Sequence, residues 1–455
     1  MPVIRLFLYC WGFSMVRAEW GSRLGFVLAA AGSAVGLGAI WKFPYVTAKN
    51  GGGAFLLIFL VIVCTLGFSL MIAEMAVGAA SRKSPVGAYR RLGGKKWSLV
   101  GYIGVLCGFL ILSFYSVVGG WTIAYMVKSM EGTILTAEPK VLSEAFDTFI
   151  TDPVVPLWYH AAFMGMTAGV VLAGVQKGIE RVSKYLMIML FLLILVLIGR
   201  ALTLPGAWEG VTAFLQPDFS KVTASMLIEA MGLAFFSMSL GMGCMITYGS
   251  YASDKTYIPH SAGSVIALTT MICFLSGLMV FPAIFVFGFD PAVGPGLTFI
   301  TMPAVFSHME GGRFFSILFF FLLFVAALTS SVSLMEVVVS FFIDEFRFPR
   351  TPTTVVMALL MFGLGIAASL SLGVWQGYTL FGKNFFGLLD YISSNLIMPF
   401  GGIMVSILVG WKAWPAIAAK LGRPDGTQPV WLPLLKGFCR YVAPVLIGII
   451  LFQNL

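Results

Sequence analysis

Three glycines crowd into seven residues, Gly32-Ser33-Ala34-Val35-Gly36-Leu37-Gly38, at the centre of an apolar run from Trp20 to Tyr45. Such a run can cross a bilayer, which takes about 20 residues, and its middle is where a membrane helix should be least interrupted. Each glycine costs a helix roughly 1 kcal/mol relative to alanine. A lipid-facing helix cannot unwind there, because every freed N–H or C=O costs several kcal/mol in hydrocarbon. Unwinding is tolerable only beside a polar cavity, where carbonyls meet cations and half-helix N–H groups meet anions. The stretch therefore predicts either a broken transport helix or glycine-mediated close packing of an intact one.

Composition decides the class around it. Of the 455 residues, 59% are hydrophobic and 10% charged, and mean hydropathy is +0.97. No soluble domain carries so much apolar surface, so an all-α polytopic membrane protein is expected, in a cell (inner) membrane. The net charge of +9 is not a nucleic-acid footprint, since the basic residues fall between apolar runs. The six cysteines lack CxxC spacing and mostly lie within apolar runs, where they read as packing residues. Three scattered histidines give no catalytic or metal constellation, and the chain does not read as an enzyme.

Candidate spans follow at 21–46, 53–80, 98–128, 156–174, 182–201, 223–250, 260–288, 313–344, 353–372, 384–411 and 433–453, about eleven in one transmembrane domain covering 1–455. Residues 1–16 lack a small-residue cleavage site, and Met15 reads as an alternative start with the first fourteen residues as upstream readthrough. The 81–97 loop holds Arg82, Lys83, Arg90, Arg91, Lys95 and Lys96 with no acid, so it should be cytoplasmic. Parity then puts the N-terminus inside, the acidic 131–152 loop outside and the C-terminus outside.

A second interruption lies in the sixth span, Phe236-Ser237-Met238-Ser239-Leu240-Gly241-Met242-Gly243. Two breaks five spans apart fit inverted five-helix repeats, each opening with a discontinuous helix and sharing a site between the breaks. Repeat one then spans about 20–201, repeat two about 223–411, and 433–453 is an extra helix. Matched breaks are harder to explain as packing, which favours a transporter.

These motifs also resemble a known family. Trp20-Gly21-Ser22-Arg23-Leu24-Gly25, the glycine stretch, Phe43-Pro44-Tyr45 and Asn50-Gly51-Gly52-Gly53-Ala54-Phe55 look like the opening of the neurotransmitter:sodium symporters. The likeness continues through Phe235 to Gly241, Gly294 to Ile300 and Ala326 to Ser331, and runs from Arg17 to about Trp411. It implies the LeuT-type fold, a bacterial-type amino acid member, and sodium as coupling ion.

Carried over residue by residue, the resemblance divides the functional positions. One sodium site falls on Gly32, Val35, Ala326, Thr329 and Ser330, whose carbonyls and hydroxyls suit a small monovalent cation; the bland alternative is hydroxyls bonded back along their own helix. The other sodium site has Ala39 where an amide is usual and Thr269 on the seventh span, with Ser237 keeping its hydroxyl. At the chloride positions stand Phe59, Leu233 and Cys273. One sodium and no chloride are expected, the alternative being a site rebuilt through Thr269.

Gly36 stands where monoamine members carry an aspartate, so the ligand should bring its own carboxylate, as an amino acid does. The N–H groups of Leu37 and Gly38 and the Tyr115 hydroxyl would meet that carboxylate. Carbonyls of Ala34, Phe236 and Ser237, with the Ser239 hydroxyl, would hold the ammonium. Ile111, Phe236, Met242, Ser333 and Leu334 would line a pocket for a neutral, hydrophobic side chain. Lys42 and Asp390 match the outer gate, although lysine lacks the guanidinium fork usual there. Arg17 and Asp344, with Tyr251 nearby, match the inner gate. Glu74 is expected to brace the first-span break, and Glu229 to be a second partner for Lys42 or a headgroup-level acid. The reading is a sodium-coupled amino acid symporter working by alternating access; a proton-driven or exchange carrier of the same fold and a non-transporting sensor are the rivals.

Overall fold

The computed structural model describes residues 18–288, 297–422 and 427–455. Among these, nine helices are long and apolar enough to cross a membrane, or ten with the bent pair Arg23–Ala34 and Gly38–Lys49 taken as one span. The half-helices Ala224–Ser237 and Cys244–Ser250 occupy the expected sixth span. The rest are Gly53–Ser81, Lys95–Glu131, Val155–Leu172, Val175–Leu202, Ile258–Val286, Gly312–Phe346, Arg350–Leu370, Phe385–Lys412 and Leu432–Gln453. The third and eighth are the most enclosed, with 78% of their apolar windows buried, against 28% for the eleventh. The bundle is thus organised around the third and eighth spans, with the eleventh on its lipid-facing edge.

Both broken spans start alike. Ser22 caps the first by accepting from the Gly25 N–H at 3.0 Å, and Thr223 caps the sixth by accepting from Met226 at 3.2 Å. Each cap satisfies an N–H group the helix start would leave orphaned. The first helix stops at Ala34, bends by 55°, and resumes as a π-turn at Gly38–Lys42. In the sixth, Ser239, Gly241 and Gly243 take positive φ values of 53°, 82° and 82°. Glycine is required on both sides of the contact: a Cβ at Gly241 would strike the Met398 carbonyl, and one at Gly401 would strike the Gly241 carbonyl. The sixth-span break therefore rests backbone to backbone on the tenth span.

Two segments expected as loops are helical, Pro85–Gly93 and Pro139–Thr151. Each opens with proline at a position where its missing N–H costs nothing, and each is too short and too charged to span.

Candidate functional site

Between the two breaks and the third and eighth spans lies a small cavity. The first break contributes Ser33, Ala34, Gly36, Leu37 and Gly38; the sixth contributes Phe236, Ser239 and Met242. Ile111 and Tyr115 face it from the third span, Ser330 and Leu334 from the eighth. Gly36 leaves the room: a Cβ there would sit 2.5 Å from the Ser330 Oγ and 3.0 Å from the Tyr115 hydroxyl. The Leu37 N–H points at that hydroxyl, at 3.3 Å. The cavity thus joins apolar walls to a strip of backbone, hydroxyl and phenol groups.

Ser237 and Ser333, expected at the substrate, do not line this cavity. The Ser237 hydroxyl, expected at the second ion position, turns back to the Ala234 carbonyl at 3.4 Å. That of Ser333 accepts from the Ser33 Oγ and donates to the Ser330 carbonyl, both at 2.7 Å. Ser33 is the residue the sequence reading passed over. Its carbonyl collects the Ser239 hydroxyl at 2.8 Å and the Ser330 hydroxyl at 3.0 Å, tying both breaks and the eighth span together.

Of the expected ion positions, Thr329 and Ser330 of the eighth span lie against Gly32 of the first break. Ser330 Oγ also donates to the Gly32 carbonyl, at 3.3 Å, and the Cβ position of Gly32 lies 3.2 Å from the Thr329 Cβ. Thr329 Oγ1 bonds back to the Ala326 carbonyl at 3.0 Å and the Val325 carbonyl at 3.3 Å. Val35 forms the C-cap of the first half-helix, directly at the break. Neutral hydroxyl and carbonyl oxygens from two elements converge here, a donor set that suits sodium. One hydroxyl reaches across and the other folds back along its own helix.

At the second ion position the Ala39 carbonyl is occupied, accepting from Ser276 Oγ at 2.7 Å, and Ser276 also bonds the Cys273 carbonyl at 2.7 Å. Thr269 Oγ1 is buried with no hydrogen-bond partner among the described residues. Phe59, Leu233 and Cys273 are all buried.

The gate positions behave differently at the two ends. Lys42 and Asp390 form no ion pair with each other: Lys42 Nζ lies 5.2 Å from the Phe236 ring centroid, and Asp390 accepts from Ser394 Oγ at 2.7 Å. Glu229 takes Lys49 at 3.1 Å and the Asn50 amide at 2.9 Å, so it is not a partner of Lys42. Arg17 lies outside the described residues. Its expected partner Asp344 accepts from the Ser84 N–H at 2.6 Å. Tyr251 donates to Glu336 at 2.6 Å, and Arg350 forks onto the same carboxylate. Glu74 accepts from the Gly241 N–H at 2.6 Å, so it braces the sixth break and not the first.

The start of the first half-helix is also held by Glu180, which the sequence reading missed. This carboxylate takes the Gly21 N–H at 2.6 Å, Ser22 Oγ at 2.8 Å and Lys184 at 3.0 Å. Its one signal was being the single acid among Lys177, Arg181 and Lys184. Trp20 adds an indole bond to the Tyr248 carbonyl at 2.9 Å and a backbone bond to Tyr251 at 3.0 Å.

Residues 17–138 and 138–454 match the Sodium:neurotransmitter symporter family. The uncharacterized sodium-dependent transporter YhdH of Bacillus subtilis (strain 168) is 41% identical over 439 residues, covering 96% of this chain and 97% of its own. An uncharacterized sodium-dependent transporter of Haemophilus influenzae is 35% identical over 451 residues, covering 96% and 98%. The crystal structure of MhsT in complex with L-phenylalanine superposes with a TM-score of 0.88 at 40% identity, over 96% of this chain and all of that one. These relatives are transporters, not enzymes, and the chain belongs to the sodium:neurotransmitter symporter family as a sodium-dependent, multi-pass membrane transporter of LeuT-type fold.

Proposed function

We propose that the protein carries a neutral, hydrophobic amino acid together with one sodium ion, without chloride, by alternating access. The observation that carries this reading is the Ser330 hydroxyl, which lines the cavity and bonds the Gly32 and Ser33 carbonyls of the first break. Ion and substrate would share one strip of backbone, so occupancy of either favours the same closed arrangement. The apolar walls from Ile111, Phe236, Met242 and Leu334 support a hydrophobic side chain, and MhsT, similar throughout, is in complex with L-phenylalanine. The carboxylate would meet Leu37, Gly38 and the Tyr115 hydroxyl; the ammonium would meet Ser239 and the carbonyls of Ala34 and Phe236.

The end rich in Lys and Arg is taken as cytoplasmic, with the N-terminus inside and the C-terminus outside. In that frame the outer pair Lys42–Asp390 is unmade while Glu180, Trp20 and Tyr251 hold the inner end. Substrate arrival would draw Lys42 and Asp390 together; release of the Trp20 and Glu180 contacts, with Arg17 from Asp344, would open the inside.

Uptake into proteoliposomes with and without a sodium gradient tests the reading. Accumulation driven by sodium supports it; accumulation driven by a proton gradient or only by exchange makes the protein a different carrier, and binding without uptake makes it a sensor. A second reading, a rebuilt second ion site, is favoured by the unpartnered Thr269 hydroxyl and predicts two sodium ions per substrate.

A further inference from the structure

Arg440 carries a permanent charge within the eleventh span and has no counterion among the described residues. It lies eight residues past Leu432, where the span Leu432–Gln453 begins, and the adjoining Tyr441 and Val442 are exposed. A guanidinium stays protonated, and charge inside a membrane span is costly unless something partners it. Other cations at the same end meet carboxylates: Arg90 with Glu345 at 2.6 Å, Lys420 with Asp254 at 2.9 Å, and Arg350 with Glu336. Among the described residues no carboxylate reaches Arg440, and its Nε–H is buried without an acceptor.

What surrounds it is aromatic. The guanidinium lies 3.8 Å from the Trp411 ring centroid and 5.4 Å from that of Tyr441, and the Trp411 indole N–H donates to the Arg440 carbonyl at 3.1 Å. A Cβ at Gly410 would lie 2.6 Å from the Arg440 Cα, so the two helices touch backbone to backbone and bring the indole under the cation. Trp411 is the penultimate residue of the tenth span, Phe385–Lys412. The cation therefore sits where that span leaves the bilayer, in the tryptophan–tyrosine setting of a headgroup belt. Lys412 and Lys436 flank the junction, Lys436 lying 5.6 Å from the Trp414 ring, and neither pairs with a carboxylate among the described residues.

We propose that the junction of the tenth and eleventh spans binds the phosphodiester headgroup of an anionic phospholipid, with Arg440 as its central donor. A phosphodiester oxygen supplies the acceptor that Nε–H lacks, and its single negative charge offsets that of Arg440; arginine matches such an anion with parallel N–H bonds. Basic pockets between membrane helices take headgroups of this kind.

Native mass spectrometry of the full-length transporter, released from nanodiscs of mixed phosphatidylglycerol and phosphatidylcholine, tests this. The unaltered protein should retain phosphatidylglycerol preferentially. Arg440→Gln should lower that retention about fivefold, the weight of one basic residue at an anionic surface, and Arg440→Lys should lose less. Equal retention by Arg440→Gln and the unaltered protein overturns the proposal. So does displacement of the lipid by millimolar inorganic phosphate, which makes the ligand a soluble anion. A concentration-dependent self-association of the unaltered protein that Arg440→Gln abolishes at unchanged lipid retention also overturns it, by making a second copy the partner. Should Arg440→Gln not fold, thermal melting of the unaltered protein decides: a higher midpoint in phosphatidylglycerol than in phosphatidylcholine supports the site, and equal midpoints overturn it.

Discussion

The break in the first span presents two unlike faces. Toward the eighth span, the Gly32 and Ser33 carbonyls meet the Ser330 hydroxyl, with Thr329 packed against Gly32. Toward the seventh, the Ala39 carbonyl is already taken by Ser276, and Phe59, Leu233 and Cys273 are buried at the neighbouring family positions. An unwound helix offers carbonyl dipoles in several directions, but the side chains opposite decide which of them an ion can use. One face sets two hydroxyls against the Gly32 backbone; on the other the nearest carbonyl already holds Ser276, and the Thr269 hydroxyl stands without a partner among the described residues.

Removing the polar face should have the largest effect. Thr329→Ala with Ser330→Ala deletes two oxygen donors and should abolish sodium-stimulated amino acid binding while leaving expression intact; binding that keeps its sodium dependence would sink the assignment. Next in size is Tyr115→Phe. Losing a hydrogen bond to a charged group costs about 1.5–3 kcal/mol, so apparent substrate affinity should fall on the order of 10- to 100-fold. Equilibrium binding at saturating sodium reads this directly, and an unchanged affinity removes Tyr115 from the carboxylate site.

Stoichiometry sharpens the comparison further. With one working face, sodium titrations of uptake should be hyperbolic with a Hill coefficient near one. An ion entering down 100 mV gains about 2.3 kcal/mol, and a tenfold gradient adds about 1.4 kcal/mol. Together roughly 3.7 kcal/mol limits accumulation of a zwitterion to on the order of 500-fold, and a second ion would square that limit. Reversal potentials that demand two ions per substrate would transfer the argument to Thr269. Ala39→Asn with Thr269→Asn should steepen the titration by returning amide oxygens to the apolar face. The smallest expected effect is none: replacing chloride with gluconate should leave uptake unaltered, and a several-fold loss would mean that the seventh-span positions are misaligned.

The breaks were legible in the sequence because glycines and hydroxyls stand out in apolar runs, and Gly36, Gly38, Ser239 and Ser330 do face the cavity. Ser33 was harder to read, because much of its part is played by a carbonyl, and every residue has one. Glu180 was hidden by its basic neighbours, whose charge marks a loop while concealing the acid that caps another helix. Helices Pro85–Gly93 and Pro139–Thr151 are amphipathic, and they escaped because each is shorter and more polar than an apolar run that crosses a bilayer. The Lys42–Asp390 distance had no signature at all, since it depends on how far apart two spans stand and not on what either contains. The same limit applies to Glu74, whose type announced a brace without saying which break it would hold.

The backbone contact between the sixth-span break and the tenth span bears on how the protein can move. Side chains between helices act as compliant spacers, readjusting their rotamers as the helices slide. Two peptide planes pressed together, as at Gly241 with Met398 and Gly401, have no such compliance, and close-packed interiors transmit strain. A displacement of Ser239 or Met242 is therefore passed to the tenth span with little slack, so those cavity residues and that stretch travel as one lever. Any hinge that lets a half-helix swing has to lie outside this contact.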